Sequence, residues 1–144
     1  MTLQHPGLIP MIIDAPPSVS ATVLTRCQLL VDAANAAINE EAEAQRACYA
    51  LEDTLAPLDR WLELLRAEAD IITQDGRNAE VRAAQAKAKL SENPTYQDYL
   101  RDADAIRRDL REQRVALTVA GHMRALAFLA VRLETARLTA EGSR

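Results

Sequence analysis

Aromatic side chains are scarce in this chain. One Trp, three Tyr and one Phe make up 3% of 144 residues. Aromatic residues dominate the energetics of most globular cores, so a globular core built here would be thin. Glycine and proline total ten, four and six. Most lie towards the ends or at turn positions, which leaves room for long uninterrupted helices, and no stretch reads as a compact β-domain. Histidines are two, His5 and His122. Cysteines are also two, Cys27 and Cys48, separated by three whole heptads. On one helix they would stand ~32 Å apart, far beyond disulfide reach. They read as small buried hydrophobes in a reducing compartment.

These shortages narrow the chemistry. A catalytic site needs convergent polar groups with a base, acid or nucleophile in reach. There is no zinc-type cysteine spacing and no phosphate-binding glycine loop. Glu40, Glu41 and Glu43 form a carboxylate cluster, but no Glu-x-x-His motif accompanies it, so a di-metal bundle is not supported. The cluster reads as a solvated acidic face, with Glu41 as a buried polar register pin. His122 reads as a packing residue. The expectation is a chain that is not an enzyme, with no catalytic residue, metal, cofactor or small-molecule substrate.

What the chain has is alanine, leucine, glutamate and arginine, the composition of long helices, with hydrophobic residues at 49%. Val23, Cys27, Leu30, Ala34, Ala37, Glu41, Ala44, Cys48, Leu51, Leu55, Leu58, Leu62, Leu65, Ala69 and Ile72 alternate in steps of four and three. A 3.5-residue repeat held this long predicts one long helix, or two nearly collinear ones, with a stripe to be buried against other helices. At 1.5 Å per residue the segment spans ~75 Å. Only Glu41 breaks the apolar character. Pro57 lies inside the pattern and predicts a kink, or a break with a fresh start near Thr54, because proline costs ~3 kcal/mol in a helix interior; the heptad phase nevertheless passes through it.

Gln74-Asp75-Gly76-Arg77-Asn78 is the first turn, with Gly76 as the left-handed residue that ends the rod and Asn78 or Asp75 as the next cap. Ala79 to Leu90 predicts a short helix with Val81, Ala84, Ala88 and Leu90 inward. Asn93 and Pro94 form a strong helix start. A last helix is predicted from Pro94 to about Leu138. Its stripe is Tyr96, Tyr99, Ala103, Ile106, Leu110, Gln113, Leu117, Ala120, Ala127, Val131 and Leu138, with gaps near Arg124 and Glu134. After Val115 the stripe widens through Val119, Met123, Leu126, Phe128 and Leu129, and a wider stripe touches more than one neighbour. Gly121 inside it suggests a close helix crossing. The Val115–Leu133 window is the most apolar, but it carries His122, Arg124 and Arg132 and reads as a buried helix rather than a membrane span.

The fold expected is therefore all-α: a long antiparallel, coiled-coil-like helical hairpin over 19–140, with a short intervening helix. An extended arm, 1–18, precedes it. Four prolines forbid a regular helix there, while Leu3, Leu8, Ile9, Met11, Ile12 and Ile13 make its middle apolar. The arm either folds over its own bundle or docks on a neighbour. Ser18 or Ser20 is the candidate cap of the first helix. The N-terminus has no basic region and is interrupted by Pro6 and Pro10, so no secretory leader is expected.

Charge is unevenly placed. Residues 1–75 hold four basic and twelve acidic side chains, or −8. Residues 76–144 hold thirteen basic and nine acidic, or +4, for the whole-chain −4. Either the halves neutralise each other by packing, or the basic half faces an acidic partner. Arg107, Arg111 and Arg114 share one helix face with Arg108 beside them, the candidate nucleic-acid surface. Interleaved Asp104, Asp109 and Glu112 favour ion pairs on the helix surface instead.

The segment Asp75-Gly76-Arg77-Asn78-Ala79-Glu80-Val81-Arg82, followed by Pro94-Thr95-Tyr96 and a long charged helix, resembles small helical-hairpin proteins of bacteriophages and prophages. The resemblance covers roughly residues 60–135. Such proteins are often encoded among replication and recombination genes and mostly lack an assigned activity, so it implies a phage accessory role and assigns no catalytic residue. The leading expectation is a non-enzymatic interaction or assembly protein, in the cytoplasm or in a virion. It would self-associate, or bind another protein, through Leu8, Ile9, Ile12, Ile13, Leu117, Met123, Leu126, Phe128 and Leu129. The alternative is a nucleic-acid-binding accessory of phage replication or recombination that uses the basic second half.

Overall fold

The computed structural model describes residues 21–73 and 78–143. The arm with its apolar residues, the Ser18 or Ser20 cap and the turn residues 74–77, Gly76 included, lie outside the described residues. The rest is all-α: α1 (Ala21–Ile72), α2 (Ala79–Glu92) and α3 (Pro94–Gly142).

α1 is one helix of 52 residues and passes through Pro57 without a break. Pro57 has no N–H to give the Asp53 carbonyl. The helix survives because the stripe on either side is covered: Leu55, Leu58 and Leu65 are half-buried and Leu62 is fully buried. Every stripe residue of α1 is at least partly covered except Ile72, which is 55% exposed. Thr73 is buried in its place, its hydroxyl donating to the Ala69 carbonyl at 2.9 Å. The last step of the stripe is thus four residues, not three.

α2 starts as the asparagine predicts. Asn78 is extended, and its side chain accepts from the Val81 N–H at 2.8 Å. Of the four residues expected inward, Leu90 is half-buried while Val81, Ala84 and Ala88 are exposed; Ala86 is the buried one. Ala86 and Leu90 are four apart, and one turn of contact covers only such a pair. Asn93 closes both neighbouring helices. Its N–H donates to the Leu90 carbonyl at 3.3 Å, and its side chain accepts from the Tyr96 N–H at 3.1 Å. Pro94 follows in the first turn of α3, where its missing N–H costs nothing.

The thickest packing lies where α1 meets the start of α3. Leu62 and Ala103 are wholly buried with Tyr96, and Leu55, Leu58, Leu65, Leu90, Tyr99 and Leu100 pack around them. Tyr96 is large enough to need a polar partner for its hydroxyl. The Arg66 Nε donates to it at 3.1 Å, and the same guanidinium stands 5.8 Å from the ring centroid. Further along, past Leu110, the buried apolar residues shrink to Ala34, Ala37, Cys48 and Ala120.

The two gaps in the α3 stripe are filled by charge pairs. Arg124 meets Glu41 at 2.8 Å. Glu134, 6% exposed, lies between Arg137 at 2.6 Å and Arg26 at 3.4 Å. Gly121 does not mark a backbone crossing. The heavy atom nearest to an added Cβ, outside its own helix, is a Glu41 carboxylate oxygen at 3.4 Å.

Candidate interaction surface

Cross-helix contacts set which residues of α1 and α3 stand side by side. Arg107 pairs with Asp59, Arg114 with Glu52 at 2.8 Å, Arg124 with Glu41, and Glu134 with Arg26. Numbers rise along α3 as they fall along α1. Asp59–Arg107 and Glu52–Arg114 are one heptad apart on both helices. Continuing in steps of seven brings Gln45 level with Gly121, Ile38 with Phe128 and Val31 with Thr135. This flank therefore changes along its length from ionic to apolar. Leu24, Val31, Ile38 and Phe128 are all exposed on it, and a groove between the helices there is lined by Cys27, Leu30, Val31, Val131, Glu134, Thr135 and Leu138.

The opposite flank is different. Its groove is lined by Ala33, Ala36, Ala37 and Glu40 from α1 and by Met123, Leu126 and Ala127 from α3. Alanines make a flat floor, and Met123 and Leu126 stand beside it as a ridge. Val115, Val119, Leu129 and Leu133 extend the ridge, every one of them more than half exposed. Of the residues expected to form an interface, Met123, Leu126 and Leu129 belong to this ridge, Phe128 lies on the first flank, and Leu117 is half-buried in the seam. Leu8, Ile9, Ile12 and Ile13 lie outside the described residues.

The Val115–Leu133 stretch is thus not the buried helix that its composition suggests. α3 contains an 18-residue window long and apolar enough, by length and composition, to cross a membrane, and only 6% of that window is buried. The reason is geometric: one neighbouring helix covers one stripe, and this stretch is apolar on several. His122 is exposed rather than packed.

The four candidate arginines separate. Arg107 is held by Asp59 and by Asp104 at 2.7 Å, and Arg114 by Glu52. The hydrogen bond to Asp104, then the charge of Asp59, holds the Arg107 guanidinium protonated beyond its ordinary range. Arg108 and Arg111 are exposed beside a shallow depression that Arg101 and Asp104 also line. Among the described residues, no group of three or more His, Cys, Asp or Glu stands where it could hold a metal ion.

Glu134 is the one buried carboxylate among the described residues. The Arg137 guanidinium donates two hydrogen bonds to it, at 2.6 and 3.2 Å. These bonds, with the charges of Arg137 and Arg26, hold its carboxyl below the ordinary 4.5 against the opposing effect of burial. A carboxyl depressed in the folded state adds stability above its unfolded pKa and loses it as pH falls through the folded one. Glu134→Gln should therefore melt below the parent at pH 7, and the gap should close as pH falls from the ordinary 4.5 through the lowered folded-state value. Thermal melts of both proteins at pH 7 and along that fall check this; a gap of constant size would mean that the ion pairs contribute nothing.

Fold and surface together define a class: an all-α chain of two long helices and one short one, with exposed apolar flanks. No family model, no curated protein and no solved structure matches it.

Proposed function

We propose that this chain is a non-enzymatic assembly protein. It is an antiparallel, coiled-coil-like helical hairpin that self-associates through the alanine floor and the Met123–Leu126 ridge. One observation carries this reading: the exposed apolar ridge on α3 beside small residues on α1. Contiguous exposed apolar surface of this kind marks interfaces. A two-fold contact also needs a patch complementary to itself, and a ridge next to a floor meets that need, since each copy's ridge can fill the other's floor. An accessory or structural role in a phage, in the host cytoplasm or in the virion, fits the sequence resemblance.

Sedimentation or light scattering at micromolar concentration tests it. The parent should have at least twice the mass of one chain. Met123→Lys with Leu126→Lys should return it to one chain's mass while the far-UV dichroism stays helical. A parent that is a clean monomer down the dilution series would sink the reading.

Nucleic-acid binding by the basic half is the second reading, favoured by the convergence of Arg101, Arg108 and Arg111 on one exposed depression. It has less support, because Arg107 and Arg114 are engaged with α1 and Asp104 lies in the same depression. A salt-sensitive shift of DNA that is lost in Arg108→Ala with Arg111→Ala would favour it.

A further inference from the structure

The flank that carries Leu24, Val31, Ile38 and Phe128 lies away from the floor and ridge, so a second copy seated on the ridge leaves it open. We propose that this flank is the seat of the chain's own segment Leu8–Ile13, and that the occupied seat covers Cys27.

Reach, chemistry and charge each point to this occupant. The arm joins α1 at Ala21, the end of the helix at which the groove lies. Val31 is ten residues into α1, ~15 Å from that junction, and Ile38 is ~26 Å from it. Ile13 precedes Ala21 by eight residues and Leu8 by thirteen. Extended chain covers ~3.3 Å per residue, so these side chains reach ~26 and ~43 Å. A chain that turns back where it joins α1 can thus lay Ile12 and Ile13 against Val31 and Leu138, and Leu8 and Ile9 against Ile38 and Phe128. Chemistry agrees. The groove wall is aliphatic, from Leu30, Val31, Val131 and Leu138, and between Leu8 and Ile13 the arm has no charged residue. Prolines suit an extended strip that lays side chains into a groove without a ladder of backbone partners. Asp14 is the only carboxylate before Asp32. Arg132, exposed and four residues from Phe128 on α3, is a cation available to it.

Cys27 makes the seat measurable, because it lines the groove and is only half-buried, whereas Cys48 is buried in the seam. In a Cys48→Ala background, alkylation of Cys27 by N-ethylmaleimide should be about tenfold slower in the full chain than in a chain lacking residues 2–16. That factor corresponds to a seat occupied about nine-tenths of the time. Ile12→Cys or Ile13→Cys, mildly oxidised, should form a disulfide with Cys27 within one chain, seen in a non-reducing peptide map. Equal alkylation rates overturn the proposal, and so does a disulfide found only between chains, which would seat the arm on a neighbour. The outcome is separable from self-association. Met123→Lys with Leu126→Lys should lose mass yet keep Cys27 protected, and the truncated chain should expose Cys27 yet keep its mass. A reactive Cys27 in a full chain that still self-associates removes the arm's seat and leaves the assembly reading standing.

Discussion

Leu62→Ala should lower the stability of the protein by about 2–5 kcal/mol, the range for truncating a fully buried leucine in a core that only partly collapses. At roughly 3 °C per kcal/mol for a chain of this size, the melting temperature should fall by ~6–15 °C. Leu62 is wholly buried, and Tyr96 and Ala103 close over it from α3. Elsewhere the buried seam consists largely of alanine, so few other truncations can remove as much. The small residues also leave little freedom to refill the space, since Ala103 cannot extend into it. Thermal and urea melts followed by far-UV dichroism measure the effect. A loss below about 1 kcal/mol would show that α1 and α3 are not held together at this point.

Pro57→Ala should act in the opposite direction. Pro57 is on the exposed side of α1, and the helix continues through it, so the substitution removes no packing. Alanine restores an N–H to the Asp53 carbonyl and carries a helix propensity ~3 kcal/mol better than proline. Proline also restricts the unfolded chain, an advantage of ~0.4–1 kcal/mol that alanine gives up. The net gain should be near 2 kcal/mol, or ~6 °C in the melt. An unchanged or lower melting temperature would mean that α1 needs the proline's geometry, for instance a bend that keeps its stripe on α3.

Much of the fold was legible along the chain. Apart from Ile72, the stripe residues of α1 and α3 are found covered, because a 3.5-residue repeat puts them on one line whatever the partner. Asn78 and Asn93 act as caps because a short side-chain acceptor before a helix meets an N–H that has no other partner. The opposite charges of the two halves meet across the seam in Glu41–Arg124, Glu52–Arg114 and Asp59–Arg107. The reversed pair, Arg26 with Glu134, was not legible, since both residues run against the charge of their own half. Nor was the role of the space at Gly121, which holds a neighbour's carboxylate rather than a crossing backbone. The inward face of α2 also escaped, because its contact is too short to leave a period in the sequence.

The candidate surface divides in the same way. That α3 is apolar on more than one side is a property of its own spacing, and Met123, Leu126, Phe128 and Leu129 are visible as a widening of its stripe. Which of those sides is covered is a matter of pairing. A helix with several apolar columns can bury any of them, and the choice falls to the register that lets Arg107, Arg114 and Arg124 reach carboxylates on α1 while Leu62 fills the space beside Ala103. The sequence by itself therefore determined three helices, the caps of α2 and α3 and the stripes of α1 and α3, because these depend on neighbours within a turn or two. Only the tertiary structure decided that Phe128 and Met123 look out from opposite flanks, one beside Ile38 and the other beside Ala33 and Ala36, because that depends on residues about ninety positions apart.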